Sequence, residues 1–185
     1  MTTGQSNNGG AMRRDNKGFS LVEIIVVLAI LAIAGLLGIS GLGYVFGQSV
    51  KSCADELKSS IGETRINTMG KYETTIHIYE GTDGFYKQEF QWEVAGGTGS
   101  WVSENPQKVG KSYLTLQYRL EDGTVGNIDS DGIWISFNRS SGRERVMTAT
   151  PSGTGVTGMF DRIIVNGSLT RTVIIVPATG KIMVQ

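Results

Sequence analysis

The 185-residue chain has 39% hydrophobic content, which suits one globular domain with a modest core plus an attached segment and is too little for two large domains. Its 17 basic residues balance 17 acidic ones, so no overall field draws the protein to nucleic acid or to acidic lipid. Cys53 is the only cysteine and His77 the only histidine, which rules out an intramolecular disulfide and all but excludes zinc sites, His-cluster metal catalysis and Cys/His nucleophiles.

Residues 1–18 are polar and rich in Gly and Asn, ending in a basic cluster of Arg13, Arg14 and Lys17 offset by Asp15. This composition reads as a leader. After Glu23 no charge appears until Lys51, and 24–39 is apolar throughout apart from Gly, long enough to meet the roughly 20-residue requirement of a spanning helix. Positive charge before the run, and none just after it, predicts a cytoplasmic N-terminus with 51–185 outside. Gly35, Gly38, Gly41, Gly43 and Gly47 punctuate the run. They either let helices approach closely or soften the helix, at roughly 0.8–1.0 kcal/mol each relative to Ala.

Beyond the run, Val50, Cys53, Ala54, Leu57, Ile61 and Thr64 recur at spacings of three and four, with Lys51, Asp55, Glu56, Lys58 and Glu63 on other faces. That pattern predicts an amphipathic helix to about Met69, and with no Pro between them the two segments read as a single long helix. The period then switches to two. In 85–94, Tyr86, Phe90, Trp92 and Val94 share a face, and "YLTLQY" from Tyr113 and "GIWISF" from Gly132 alternate in the same way. Gly-rich turns such as "AGGTGS" and "EDGTVGN" divide them, and further strands are expected at 72–80, 163–166, 170–176 and in "ATGKIMV". One helix followed by six to eight short strands predicts an α+β domain, a mostly antiparallel sheet packed on the exposed half of a long N-terminal helix.

Few motifs in the outer part point to chemistry. "VGKS", 109–112, has the ending of a phosphate-binding loop, but Asn105 stands where that loop needs its first Gly. "NIDSDG" sets Asn127, Asp129 and Asp131 ahead of Gly132 like the first half of a calcium loop, yet the twelfth position is Asn138 rather than Glu. A hairpin turn explains it as well. "NRSSGRERV" bunches Arg139, Arg143 and Arg145 at what reads as a solvated hairpin tip, the alternative being a small basic contact patch. Cys53 is expected as a small core residue and His77 as a strand residue at the sheet surface.

A conventional signal peptide does not fit residues 17–37, because its apolar region ends after about 7–15 residues and this one continues. A plain membrane anchor leaves Glu23 unexplained, at roughly 2.5–3.5 kcal/mol for an acidic group in hydrocarbon. The stretch "KGFSLVEIIVVLAILAIAGLL" closely resembles the processing signal of type IV prepilins and pseudopilins: a basic leader ending in Gly, an aromatic Phe, and a Glu at the fifth position of the apolar helix that follows. The resemblance implies that prepilin peptidase cuts between Gly18 and Phe19, that Phe19 becomes an N-methylated terminus, and that 1–18 is lost. It further implies a transmembrane and assembly helix over 19–47 and an extracytoplasmic pilin-like domain over 48–185. Glu23 then gains a physical role, since the amine created at Phe19 would face the Glu23 carboxylate of a neighbouring subunit and fix the stagger between helices.

The segment from Ala54 to Tyr79 and the ending "RTVIIVPATGKIMVQ" resemble the helix-to-strand junction and closing hairpin of GspH/FimT-type minor pilins and pseudopilins, although Gly62 and Gly70 interrupt a helix that those proteins usually build from stronger formers. The expected partners are prepilin peptidase, other pilin or pseudopilin subunits and the cytoplasmic membrane. No nucleic-acid partner, cofactor or catalytic activity is expected. A single-pass anchored binding or sensor domain, never assembled into a filament, is the competing class.

Overall fold

The computed structural model describes Ser20–Gln185 apart from residues 71 and 96–97, with the side chains of 34–46 left out. The described residues divide into two compact units, one ending at Ser40 and the other beginning at Gly41. One helix, α1 (Leu21–Gly70), begins in the first unit and ends in the second, and its backbone is helical through Gly35, Gly38, Gly41, Gly43 and Gly47.

In the second unit the helix face foreseen from the spacing is the buried one. Val50, Ala54, Leu57, Ile61 and Thr64 are wholly inaccessible and Cys53 nearly so, while Lys51, Asp55, Glu56, Lys58 and Glu63 lie in solvent. Burial, and secondarily the charge of Glu56, pushes the Cys53 thiol up to about 12, so it is an inert core group at neutral pH. The helix ends against a satisfied hydroxyl cluster. Thr68 Oγ1 donates to the Thr64 carbonyl (2.8 Å) and meets Thr74 Oγ1 at 2.5 Å, and Thr74 Oγ1 also reaches the Thr64 carbonyl (3.0 Å). Two buried hydroxyls and the Thr64 carbonyl thus knit the last helical turns to the first strand without an orphaned polar group among them.

Among the described residues twelve strands follow, more than the six to eight expected, and they form two sheets instead of one. The first sheet contains β1 (Glu73–Gly81), β2 (Gly84–Ala95), β3 (Thr98–Ser103), β4 (Gln107–Lys111), β7 (Ile133–Phe137), β8 (Glu144–Arg145) and β9 (Val156–Thr157). Its order is β3-β2-β1-β7-β8, with β4 sharing the outer edge of β2 and β9 running parallel to β7. The second contains β5 (Thr115–Leu120), β6 (Val125–Asn127), β10 (Phe160–Asn166), β11 (Thr170–Val176) and β12 (Lys181–Val184), in the order β12-β11-β10-β5-β6. Parts of both expected turns are strand, since Thr98–Ser100 of "AGGTGS" pairs with β2 and Val125–Asn127 of "EDGTVGN" pairs with β5. A long partner strand supplies the backbone hydrogen bonds that these short segments could not specify alone.

A single core joins helix and sheets. Ile76, Ile78, Phe85, Ile133, Ile135 and Phe137 come from the first sheet, and Leu116, Tyr118, Ile163, Val165, Val173 and Ile175 from the second. The opposite face of the first sheet is also covered. His77 stacks between Tyr79 (4.8 Å) and Trp134 (4.1 Å), and its Nε2 lies 2.9 Å from the Asp131 carbonyl, so it is buried and not at the sheet surface as expected. Residues 146–157 close over this stack: Thr75 Oγ1 meets Met147 Sδ (3.1 Å) and Trp134 Nε1 donates to the Thr154 carbonyl (2.7 Å). Gly155, at φ +95°, lies so close to the indole that a Cβ would fall 2.6 Å from Nε1.

Arg65 fastens the helix to both sheets. Its Nε donates to the Gly142 carbonyl (2.8 Å) in the β7–β8 turn, and a terminal nitrogen donates to the Thr179 carbonyl (3.1 Å) in the β11–β12 turn. Gly142 (φ +63°) and Gly180 (φ +65°) crowd the guanidinium in a backbone conformation that other residues rarely adopt. Arg65→Ala should lower the unfolding free energy by about 1–2 kcal/mol, because two charge-assisted bonds are lost and one is open to solvent. Denaturant titration checks this, and an unchanged midpoint would show that the two turns hold without the clip.

Candidate assembly and processing site

The N-terminal unit presents its apolar residues outward. Leu21 is 75% exposed and Val22 66%, and Ile24, Ile25, Val26, Val27, Leu28, Ile30, Leu31 and Ile33 are all about half exposed or more. The ladder starts where Ile24 N donates to the Ser20 carbonyl (3.2 Å), and Glu23 is the acidic residue of the first turn. Unpaired amides of a first turn and the positive end of the helix dipole both favour a carboxylate there. Gly18 and Phe19 lie outside the described residues. Among the described residues no helix is long and apolar enough to cross a membrane; the expected span of 19–47 includes Phe19 and the side chains of 34–46, which fall outside the description.

The other candidates resolve into local structure. Asn127 Oδ1 accepts from Gln117 Nε2 (2.9 Å), and Asp129 Oδ1 accepts from the amides of Asp131 (3.0 Å) and Gly132 (3.1 Å). Asp129 caps its own turn, and Gly132 takes φ +66° against the Ile78 carbonyl. Asn127 Oδ1 and Asp129 Oδ1 are thus engaged within the hairpin, and among the described residues no group of three or more His, Cys, Asp or Glu could hold a metal ion. Added calcium should leave the thermal unfolding midpoint unchanged. A midpoint rising with calcium concentration would reinstate the site.

Arg139, Arg143 and Arg145 differ in exposure and partners. Arg145 pairs with Glu73 and donates to Ser136 Oγ (3.0 Å), whereas Arg139 and Arg143 are exposed beside the turn at Gly142.

Glu144, embedded in the same arginine-rich stretch, gave no sequence signal and is 3% exposed. Its amide donates to the Pro177 carbonyl (3.2 Å) and Oε1 accepts from the Phe160 amide (2.9 Å), so one residue of β8 ties the first sheet to β10 and to the β11–β12 turn of the second. Oε2 has no partner. Burial pushes this carboxyl from 4.5 up to about 8, against the lowering hydrogen bond from Phe160, with Glu121 and Asp161 adding repulsion. Burial also works to raise neighbouring Asp161, but hydrogen bonds from Arg119 and Arg162 outweigh it and hold that carboxylate below its usual range.

Residues 13–39 match the family model for the prokaryotic N-terminal methylation motif. No curated protein and no solved structure matches the chain. The motif is the signal of a type IV pilin-like precursor and the substrate signal of prepilin peptidase, and it implies a membrane-anchored subunit of pilin type. The matched stretch contains Gly18, Phe19 and Glu23 and none of the β-rich domain.

Proposed function

We propose that the protein is a structural subunit, a minor pilin or pseudopilin of a type IV pilus or type II secretion pseudopilus, and the substrate of a processing enzyme rather than an enzyme itself. The observation that carries this reading is the methylation motif over 13–39, which ends within the apolar N-terminal part of α1, where residues 21–33 are all exposed. After cleavage between Gly18 and Phe19, residues 19–47 hold the subunit in the cytoplasmic membrane and then in the filament core, with 48–185 outside. The helix-to-strand junction at 70–73 and the closing β11–β12 hairpin favour the GspH/FimT type. Mass spectrometry of the mature protein should find N-methylated Phe19. An intact Met1, or a terminus after Ala34, would instead indicate an anchored or secreted domain outside this system.

A further inference from the structure

An open cavity of about 510 Å3 lies between α1 and β4, lined by Gln48, Ser49, Ser52 and the run Lys108–Lys111. Three of its residues belong to "VGKS", the motif that the fold does not use as a nucleotide loop. We propose that this cavity binds the phosphate of an anionic phospholipid headgroup in the outer leaflet of the membrane that anchors the chain, an inference that rests on the pilin-like anchoring proposed above.

Position comes first. Gln48 directly follows the apolar run in the same helix, and one turn rises only about 5.4 Å, so 48–52 lie at headgroup height if 19–47 spans the bilayer. Contacts within the β-rich unit identify which loops share that level: a Cβ on Gly47 would meet Leu169, one on Gly167 would meet Val50, and one on Gly110 would meet Cys53 Sγ. The rim so defined exposes Tyr113 (48%) and Leu169 (38%), an aromatic and an aliphatic group of the kind that settles at a membrane interface.

Charge gives the headgroup class. Lys111 is exposed and makes no ion pair among the described residues, whereas Lys108 Nζ is held by Asp83 Oδ2 (2.5 Å) and the Asp83 carbonyl (2.8 Å). Lys51 adds a third cation at the same level of the helix. The hydroxyl of Ser52 and the amide of Gln48 supply neutral donors between them. Balanced net charge says nothing against this, because the cations are gathered locally.

The test uses the detergent-solubilised, processed full-length chain in native mass spectrometry, with equal amounts of phosphatidylglycerol and phosphatidylcholine. About fivefold more phosphatidylglycerol should be retained, the effect of one interfacial lysine. Lys111→Gln, and more fully Lys108→Gln with Lys111→Gln, should bring the ratio to about one, while Lys181→Gln at the far hairpin keeps it. Circular dichroism melts confirm that each variant is folded. Equal retention by the native chain, or a preference that survives the double substitution, overturns the site. Loss of the preference in excess inorganic phosphate, with phosphate bound in its place, assigns the cavity to free phosphate and also overturns the lipid assignment. A chain with methyl-Phe19 that fails the lipid test leaves the anchoring intact, whereas an intact Met1 undermines both.

Discussion

Replacing Glu144 by Gln is expected to stabilise the domain, increasingly so as the pH rises from about 4.5 to about 8. The sign follows from the two states. Below pH 4.5 the carboxyl is protonated whether the chain is folded or not, so it contributes no pH dependence. Between 4.5 and about 8 the unfolded chain releases the proton while the folded chain retains it, and every unit in that window favours unfolding. Integrated, the penalty in the native protein reaches about 2–4 kcal/mol, taken below the full linkage value to allow for local relaxation. Gln keeps the acceptor for the Phe160 amide and cannot ionise. Its midpoint should therefore exceed that of the native chain by about 5–10 °C at pH 8.5 and by little or nothing at pH 4.5. His77 works from the opposite side. Burial lowers its pKa, so it withdraws stability as pH falls below 6.5, and both proteins should share that acid limb. A difference between the variant and the native chain that does not change with pH would show that Glu144 is ionised in the fold, with a partner for Oε2.

Nothing in the local sequence announces Glu144. "GRERV" reads as a charged turn, and what buries the glutamate is the Phe160 strand, brought over it by the second sheet. A feature that depends on chain-local periodicity is legible in the sequence: the six apolar-face positions of the amphipathic helix are all buried, because a 3.6-residue period survives any tertiary arrangement. The closing hairpin was equally plain, with Gly180 at φ +65° after β11. Period two, by contrast, separates the faces of a strand without saying what covers each. Tyr86, Phe90 and Trp92 do share a face, yet Phe85 is the β2 residue in the central core, and the aromatic face gains its cover from a loop more than fifty residues later. His77 is buried for the same reason, under cover that its strand does not specify. The methylation motif over 13–39 is legible for a different cause, since such a signal is set by recognition by another protein and not by the fold of the chain that carries it.

Glu23→Val should remove the subunit from filaments while leaving cleavage at Gly18–Phe19 largely intact. Among the described residues the Glu23 carboxylate makes no ion pair, and an acidic group in hydrocarbon costs roughly 2.5–3.5 kcal/mol. On the proposed function, cleavage would create the complementary charge, an amine at Phe19, and in a bundle of parallel helices each amine would meet the Glu23 of a neighbour. Only one axial stagger pairs both, so the charges select a register more than they add stability. Valine eases insertion of the lone subunit yet leaves every neighbouring amine unpaired, and a deficit of the same 2.5–3.5 kcal/mol corresponds to about a hundredfold loss of incorporation. Glu23→Gln distinguishes charge from shape: it should fail like valine, since an amide cannot neutralise the amine. Sheared-filament fractions and the processed-to-precursor ratio on immunoblots read the two effects separately. Full incorporation of the glutamine variant would mean that a hydrogen bond suffices, and loss of cleavage together with assembly would place Glu23 in peptidase recognition instead of subunit pairing.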